Sequence, residues 1–278
     1  MTDKYDIRPG QSVELLKQLH ILTRDGKLNQ DSRRKLKQVY HLFNFIEPLL
    51  ETLVADHAEL TLVDHGAGKS YLGFILYDLF FKDRAPQGRL YGIETRDELV
   101  KSSMALAQKL GFAAGMRFYN LSVAESITSD CLPPQVDIVT ALHACNTATD
   151  DAIRFALEKR ARYIVLVPCC QAEVAAELKK HKAQALKSPL AELWRHPIHT
   201  REFGAQITNV LRCLELEAHG YQVTVTELVG WEHSMKNELI VAEYKDLPRA
   251  KAQARLNELL DTLGLDALRQ RFGACEAA

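Results

Sequence analysis

The first 57 residues carry a helical pattern of apolar positions. Apolar side chains recur at a spacing of about 3.6 from residue 13 and again from residue 36, which predicts amphipathic helices. The dipeptide Asp25-Gly26 separates the two stretches, because aspartate and glycine together favour a turn. We therefore predict a helical N-terminal extension over residues 1–57.

Short apolar runs replace this pattern from residue 58 onward. Five runs predict buried strands, at residues 60–64, 89–94, 116–119, 136–142 and 163–167. Helical patterns follow the first, second and fourth of these runs. Strands that alternate with helices form βαβ units, so this part of the chain is predicted to hold a mostly parallel sheet.

The last third of the chain has a different texture. Residues 221–229 and 238–244 read as two strands with a brief connection, which predicts an antiparallel hairpin. We expect an insertion at about residues 172–205, with helices interrupted by Pro189 and Pro197. The predicted organisation is thus the extension, a domain of residues 58–245 that contains the insertion, and a helical tail over 246–278.

Composition and charge narrow the classes of function. The 278 residues include 35 Lys+Arg and 36 Asp+Glu, for a net charge of -1, which argues against a highly basic nucleic-acid binder and leaves room for a local basic face. No apolar run approaches the ~20 residues of a membrane span, and residues 1–6 lack the apolar core of a signal peptide. Six cysteines without small-scaffold spacing fit reduced thiols, so we expect a cytoplasmic protein without a membrane partner.

The segment after the first strand, Val63–Ser70, carries Asp64, Gly66 and Gly68 in an Asp-x-Gly-x-Gly pattern. Glycines at a strand tip let the backbone approach a ligand closely. Three interpretations compete: an S-adenosylmethionine (SAM) site, a phosphate-binding P-loop, and a turn without a ligand. A P-loop requires glycine where the chain has Val63, so SAM is the interpretation that we adopt.

An acid at the end of the second strand supports this choice. In doubly wound sheets an acid at that strand tip binds ribose hydroxyls, and Glu94 holds that position. The alternatives are an NAD site, which the missing third glycine disfavours, and a solvated glutamate. After the third strand, Asn120 and Ser122 are candidates for contact with an adenine ring, with a plain loop as the alternative.

Histidine and cysteine residues follow the fourth and fifth strands. The two segments are Leu142-His143-Ala144-Cys145-Asn146 and Pro168-Cys169-Cys170-Gln171. Both lie at the carboxyl edge of the predicted sheet, where ligands bind in such folds. Four roles stay open for them: a general base at His143, thiol attack on a pyrimidine, a zinc site, and small apolar packing. Adjacent cysteines lack the usual zinc spacing, so we assign no metal.

These ordered segments resemble one methyltransferase family. Five βα strands and a terminal hairpin match the sheet of class I SAM-dependent methyltransferases. The segments at residues 142–145 and 167–170 match the LHAC(G) and PCC motifs of methyltransferase-like proteins distantly related to eukaryotic tRNA ribose 2'-O-methyltransferases. The resemblance covers about residues 60–245. It departs at Asn146, where the family usually has glycine, and at Gln171, where relatives have tyrosine or histidine.

The resemblance implies an α/β fold with a Rossmann-like seven-stranded sheet, a terminal antiparallel β-hairpin and SAM as cofactor. The implied cofactor-binding residues are Asp64, Gly66, Ala67, Gly68, Glu94, Ser122 and His143. The candidate catalytic residues are His143, Cys145 and Cys169. The candidate substrate-binding residues, some after the fifth strand and the rest between the hairpin strands, are Pro168, Cys170, Gln171, Glu232, His233, Lys236 and Asn237.

Basic residues suggest a class of methyl acceptor. They occur on the N-terminal helices, in the insertion and in the tail, and together could form one face for RNA phosphates. Interspersed acids favour the alternative of solvated helix faces. We expect a SAM-dependent methyltransferase acting on tRNA or rRNA. The alternatives are methylation of a small molecule or a protein, and a non-catalytic binding module on the same fold.

Overall fold

The computed structural model describes residues 7–27, 30–142, 144, 147–168, 171–180, 192–193, 195–228 and 238–273, and of residues 30–32, 34, 35 and 38 the backbone alone. Within these ranges the chain forms a seven-stranded sheet. Its strands are β1 (Thr61–His65), β2 (Arg89–Glu94), β3 (Met116–Asn120), β4 (Ile138–Leu142), β5 (Tyr163–Val167), β6 (Tyr221–Glu227) and β7 (Glu238–Tyr244).

The strands lie in the order β3-β2-β1-β4-β5-β7-β6. Strands β1 to β5 pair in parallel, and β7 is antiparallel to both β5 and β6. The predicted α/β class, the seven-stranded sheet and the terminal antiparallel pair are confirmed. The carboxyl ends of β1 to β5 therefore share one edge, and the antiparallel β7 begins at that same edge.

Helices precede the first strand, follow the last one and occupy most segments between the strands. They are α1 (Val13–Gln18), α2 (Gln30–Asp56), α3 (Tyr71–Leu76), α4 (Lys82–Arg84), α5 (Asp97–Lys109), α6 (Val123–Thr128), α7 (Thr147–Glu158), α8 (Glu173–Lys180), α9 (Pro197–Ala218) and α10 (Ala250–Leu263). A π-helical turn, Tyr77–Phe81, joins α3 to α4, and a short 3-10 turn, Asp266–Leu268, follows α10. No helix within the described ranges is long and apolar enough to span a bilayer.

The sheet is buried between two helical layers. Helices α1, α2, α3 and α5 pack on the face that carries Leu62 and Leu90. Helices α6 and α7 pack on the opposite face, which carries Val63 and Ile164. Successive strand residues point to opposite faces, so a strand covered on both sides must be apolar throughout, as Tyr163–Val167 is.

The N-terminal helices belong to the same core as the sheet. Leu16 of α1 and both Phe43 and Leu50 of α2 are buried in one cluster with Leu62 and Leu239 of the strands. At the other end, α10 packs against α8 and α9 through a smaller apolar cluster. The extension and the tail are therefore packed against the sheet domain, and the division at residues 57 and 245 stays a prediction.

The apolar pattern does not predict helix α6, and it predicts α9 only in part. Helix α6 starts with a capping box, in which Ser122 and Glu125 satisfy each other's backbone N–H groups. Helix α9 begins at Pro197, in its first turn, where the fixed φ and missing N–H of proline fit a helix start. Pro197 therefore lies at a helix boundary, and α9 continues past the predicted end of the insertion at about residue 205 to Ala218. Pro189 lies outside the described residues.

Asp78 ties the N-terminal segment to the helix that follows β1. Its fully buried side chain lies in the π-helical turn. Asp78 Oδ2 accepts a hydrogen bond from Ser12 N (2.8 Å), and Oδ1 accepts one from Lys82 Nζ (2.8 Å). Lys82 Nζ also donates to Gly10 O at 3.0 Å. Because Ser12 is the N-cap of α1, the carboxylate satisfies a backbone donor that the helix itself cannot.

Replacement of Asp78 should loosen this attachment. We expect Asp78→Ala to lower the free energy of unfolding by ~1–3 kcal/mol, because it leaves buried donors unpaired. Urea unfolding measures the change, and limited proteolysis should cleave near residue 12 sooner. Asp83→Ala, which removes an exposed carboxylate five residues away, is the control. Equal stability of the two variants would contradict the role given to Asp78.

Candidate functional site

The chain makes a tight glycine turn where β1 ends. Gly66 and Gly68 have φ angles of 64° and 58°, and Ser70 also lies in the left-handed region at 52°. Glycine adopts this region without the steric strain that a Cβ brings. Ala67 N donates to Ile93 O at 3.0 Å, and Ser70 N donates to Ala67 O at 2.6 Å. The predicted motif thus forms a compact loop fastened to the end of β2.

Glu94 and the glycine turn lie together, as the sequence predicts for a cofactor site. Gly68 N donates to Glu94 Oε2 at 2.8 Å. Glu94 Oε1 accepts from both the backbone N and the side-chain Nε of Arg96, each at 3.0 Å. Burial opposes ionisation of Glu94, but the hydrogen bonds from Arg96 and Gly68 outweigh it and lower the pKa of the carboxyl below its usual value. Glu94 is therefore a negative charge at neutral pH.

Asp64 experiences a different environment at the same edge. It is 3 % exposed, and its Oδ1 accepts a hydrogen bond from Thr140 Oγ1, the cross-strand neighbour on β4, at 2.6 Å. Burial raises the pKa of Asp64 to about 7, against the smaller lowering effect of the Thr140 hydrogen bond. The two acids of the predicted motif therefore differ in charge.

Ser122 and Asn120 have local partners. Ser122 Oγ donates to Glu125 Oε2 at 2.7 Å and accepts from Glu125 N at 3.1 Å, as the cap of α6. Asn120 Nδ2 donates to Glu94 O at 3.1 Å and to Thr95 O at 2.8 Å. Asn120 thus links the tips of β3 and β2, and the contact of Ser122 with a cofactor stays a prediction.

Several predicted site residues lie outside the described residues. They are His143, Cys145, Cys169, Cys170, Glu232, His233, Lys236 and Asn237. The strand ends that flank them are described and share one edge. Leu142 and Val167 are register partners where β4 and β5 end, and Glu238 begins β7 directly opposite Glu227, the end of β6. The topology therefore brings the described ends of these four strands to the edge that holds the glycine turn.

Of the predicted substrate-binding residues, the structure describes Pro168 and Gln171. Pro168 is buried and Gln171 is half-buried. Gln171 Nε2 donates to Asn209 Oδ1 of α9 at 2.6 Å. In the described ranges, no group of three or more His, Cys, Asp or Glu side chains is placed to hold a metal ion.

Sequence reasoning misses three polar residues of this edge. Arg96 follows Glu94 by two positions, Thr140 interrupts the apolar run of β4, and Asn209 lies on the part of α9 beyond residue 205, where no helix is predicted. A polar residue inside a buried strand is a usable signal for Thr140, since such a group needs a partner. Nothing in the local sequence points to the contact between Asn209 and Gln171, because 38 positions separate them.

Comparisons with known proteins add a family match. A family model described as "Methyltransferase domain" matches residues 34–177, which is more than half of the chain. No curated protein matches the sequence.

Solved structures give weaker likenesses. A magnesium protoporphyrin IX methyltransferase from Synechocystis PCC 6803 with bound SAH is 16% identical, covers 83% of this chain and 94% of its own, and has a TM-score of 0.46. A precorrin-6y C5,15-methyltransferase from Geobacter metallireducens is 18% identical, with coverages of 68% and 81% and a TM-score of 0.41. An rRNA methylase from Streptococcus thermophilus is 10% identical, with coverages of 69% and 89% and a TM-score of 0.41.

The pKa of Asp64 makes stability depend on pH. A carboxyl whose pKa is about 7 when folded and 3.8 when unfolded keeps its proton longer in the folded state, so its stabilising contribution is lost as pH rises between these values. Asn at this position accepts the Thr140 hydrogen bond without titrating. We expect the stability of Asp64→Asn relative to the wild type to increase from pH ~4 to pH ~7 by more than ~1.4 kcal/mol, the equivalent of one pKa unit.

Urea unfolding at several pH values measures this difference. The exposed Asp130 supplies the control, because Asp130→Asn should differ from the wild type by a constant amount across the same range. A constant difference for Asp64→Asn as well would show that Asp64 does not titrate as its burial requires.

Proposed function

Because the chain belongs to the Methyltransferase domain family, we propose that the glycine turn after β1 and the carboxylate at the end of β2 bind its methyl donor. SAM is the donor that class I methyltransferase domains use. The observation that carries the proposal is the hydrogen bond between Gly68 N and Glu94 Oε2, which joins the two predicted cofactor elements at 2.8 Å.

The residues present fit a sulfonium nucleoside. Glu94 supplies an ionised acceptor for ribose hydroxyls, and its partner Arg96 is 60% exposed along its side chain, so Arg96 can move aside. Ser70 Oγ is buried, and within the described residues it has no hydrogen-bond partner. A Cβ placed on Gly68 would lie 3.8 Å from the Arg96 guanidinium, an ordinary van der Waals contact, so it is the left-handed φ that favours glycine at this position.

The chain's own residues would mainly orient the reactants. Bound SAM supplies an activated methyl group on sulfur, and its transfer is an in-line displacement whose barrier falls by ~7–11 kcal/mol when the two partners are held in position. Gly66, Ala67 and Gly68 would approach the donor with backbone atoms, and Glu94 would hold the ribose. Asp64, whose pKa burial raises to about 7, would lie beneath the turn and be only partly ionised near neutral pH.

The acceptor side is assigned from sequence position. His143 is proposed as the base that takes the proton from the acceptor, and Cys145 and Cys169 as candidate catalytic thiols. The proposed substrate contacts are Pro168, Cys170, Gln171, Glu232, His233, Lys236 and Asn237. Support comes from the strand ends that flank these segments, which meet at the edge where the glycine turn lies.

We propose RNA as the class of acceptor. The support is the basic run at residues 33–37, of which Arg33 is exposed on α2. The tail adds less than its sequence suggests, because its arginines are paired with carboxylates. Arg269 Nε lies 2.9 Å from Asp266 Oδ1, and Arg271 Nε lies 3.3 Å from Glu173 Oε2.

Glu94 provides the test of the donor site. Glu94→Gln keeps the shape of the side chain and removes its charge, so SAM should bind ~10- to 100-fold more weakly, since hydrogen bonds to a charged acceptor contribute ~1.5–3 kcal/mol. Isothermal titration calorimetry measures the affinity. Glu98→Gln removes the same charge from an exposed position at the start of α5 and should bind SAM as the wild type does. Equal affinity of the two variants would exclude Glu94 from the site, and no heat with the wild type would overturn the SAM proposal.

The class of acceptor can be tested with methyl-labelled SAM. The protein is incubated with this donor and a cell lysate, and portions are digested with ribonuclease or with protease. We expect ribonuclease to release the macromolecular label and Glu94→Gln to reduce its incorporation at limiting SAM. Release by protease alone, or label only in small molecules that pass an ultrafilter, would reject RNA in favour of a protein or a metabolite.

A further inference from the structure

A series of buried and half-buried hydrogen bonds meets on α9 at the carboxyl edge of the sheet. At its centre is Asn209, which is 6% exposed. Asn209 Oδ1 accepts from Gln171 Nε2 at 2.6 Å and from Arg212 Nη1 at 3.3 Å. Asn209 Nδ2 donates to Glu238 Oε2 at 2.6 Å. One amide side chain thus connects the segment after β5, the start of β7 and the next turn of its own helix.

Arg212 extends the chain to a third segment. Its Nε donates to Asp150 Oδ1 of α7 at 2.5 Å, and the two side chains are only 1% and 4% exposed. One residue earlier, Thr149 Oγ1 donates to Ala144 O at 2.6 Å, which fastens the first turn of α7 to the segment after β4. The chain of contacts therefore reaches three of the segments that follow strand ends at this edge.

Two buried acids, Asp150 and Glu215, lie near Arg212. Glu215, one turn along α9, is also buried, and burial followed by repulsion from Asp150 raises its pKa to about 8. Glu215 is therefore mostly uncharged at neutral pH. Burial also raises the pKa of Asp150, against the opposing hydrogen bond and charge of Arg212. Arg154 and Arg271 lie near enough to lower the pKa of Glu215 in part.

A buried cluster of charged side chains contributes little to the free energy of folding by itself. The desolvation of a buried ion pair often exceeds the attraction that it gains, and an apolar replacement is frequently as stable. The hydrogen bonds of Asn209 and Arg212 instead hold their partners at defined distances, while Gln171 Oε1 and Glu215 Oε2 have no hydrogen-bond partner among the described residues. Each segment held by this network contains or adjoins a residue that the sequence predicts to contact the substrate or to act in catalysis. Gln171 is itself such a residue, and Glu238 follows Asn237. Ala144 lies between His143 and Cys145.

We propose that Asn209 and Arg212 are positioning residues for methyl transfer, which hold Gln171, Glu238 and the first turn of α7 at fixed distances around the acceptor. The inference rests on the proposed function. Asn209 and Arg212 act through the residues that they hold, and neither is among the residues assigned to the SAM site. Their loss should therefore slow transfer while the affinity for SAM stays unchanged.

Exchange of the donor and acceptor roles tests this arrangement. Asn209→Asp sets a carboxylate against the carboxylate of Glu238, while Gln171 and Arg212 can still donate to it. The double variant Asn209→Asp with Glu238→Gln restores the lost hydrogen bond with its direction reversed. Gln206→Glu makes the same charge change at an exposed position of α9 and serves as the control.

We expect Asn209→Asp to slow methyl transfer by ~10- to 100-fold, the range that a small misplacement of reactants can cause, with SAM affinity within about twofold of the wild type. Amide hydrogen exchange should rise in peptides that contain Gln171 and Glu238. The double variant should recover most of the rate and of the protection, and Gln206→Glu should match the wild type. Asn209→Ser removes all three hydrogen bonds of the amide without adding charge, so it should give the same split if Asn209→Asp does not fold.

Two results would overturn the inference. One is an unchanged transfer rate in Asn209→Asp or Asn209→Ser. The other is a parallel fall in rate, SAM affinity and thermal midpoint, with a double variant that regains stability but not rate. If the wild type transfers no methyl group, the proposed function fails, and hydrogen exchange alone then decides whether Asn209 holds Gln171 and Glu238.

Discussion

The hydrogen bond from the Gly68 N–H to the Glu94 carboxylate is the contact on which the proposed site depends. It joins the loop after β1 to the tip of β2, two elements that parallel pairing already sets side by side. The left-handed φ of Gly68 gives the turn its shape, and Arg96 keeps the carboxylate ionised from the other side. The hydrogen bond, the φ of Gly68 and the contact with Arg96 together place an ionised carboxylate beside the glycine turn at the strand ends.

The two acids of this edge show how one fold sets two protonation states. Asp64 is enclosed by the sheet and has a hydroxyl as partner, so burial dominates and favours its neutral form. Glu94 has a guanidinium and two backbone N–H groups as partners, so ionisation is favoured. The pattern Asp-x-Gly-x-Gly followed by a strand-end glutamate identifies both residues. The charge of Glu94 depends mainly on Arg96, two positions later, whereas that of Asp64 depends on burial among strands that are distant in sequence.

The apolar pattern of the strands predicts most of the fold. It does not predict the polar contacts between residues that are distant in sequence. Strand β2 spans the predicted residues 89–94, because a buried strand must be apolar on both faces. Helix α6 is missed because Ser122 resembles a ligand-contacting loop residue while it caps a helix. Helix α9 is predicted only as far as about residue 205, although it continues to Ala218. The pairing of Asp64 with Thr140 depends on the register of β1 against β4, which no local signal contains.

The strand order also governs when the domain can be completed during synthesis. Strand β7 is the last to be made, yet it lies between β5 and β6 rather than at the rim. The emerging chain therefore has to keep a place open beside β5 until residue 244 has left the ribosome. Pairings between strands so distant in sequence form slowly, and the apolar edge of β5 is the surface that a chaperone would need to shield in the meantime.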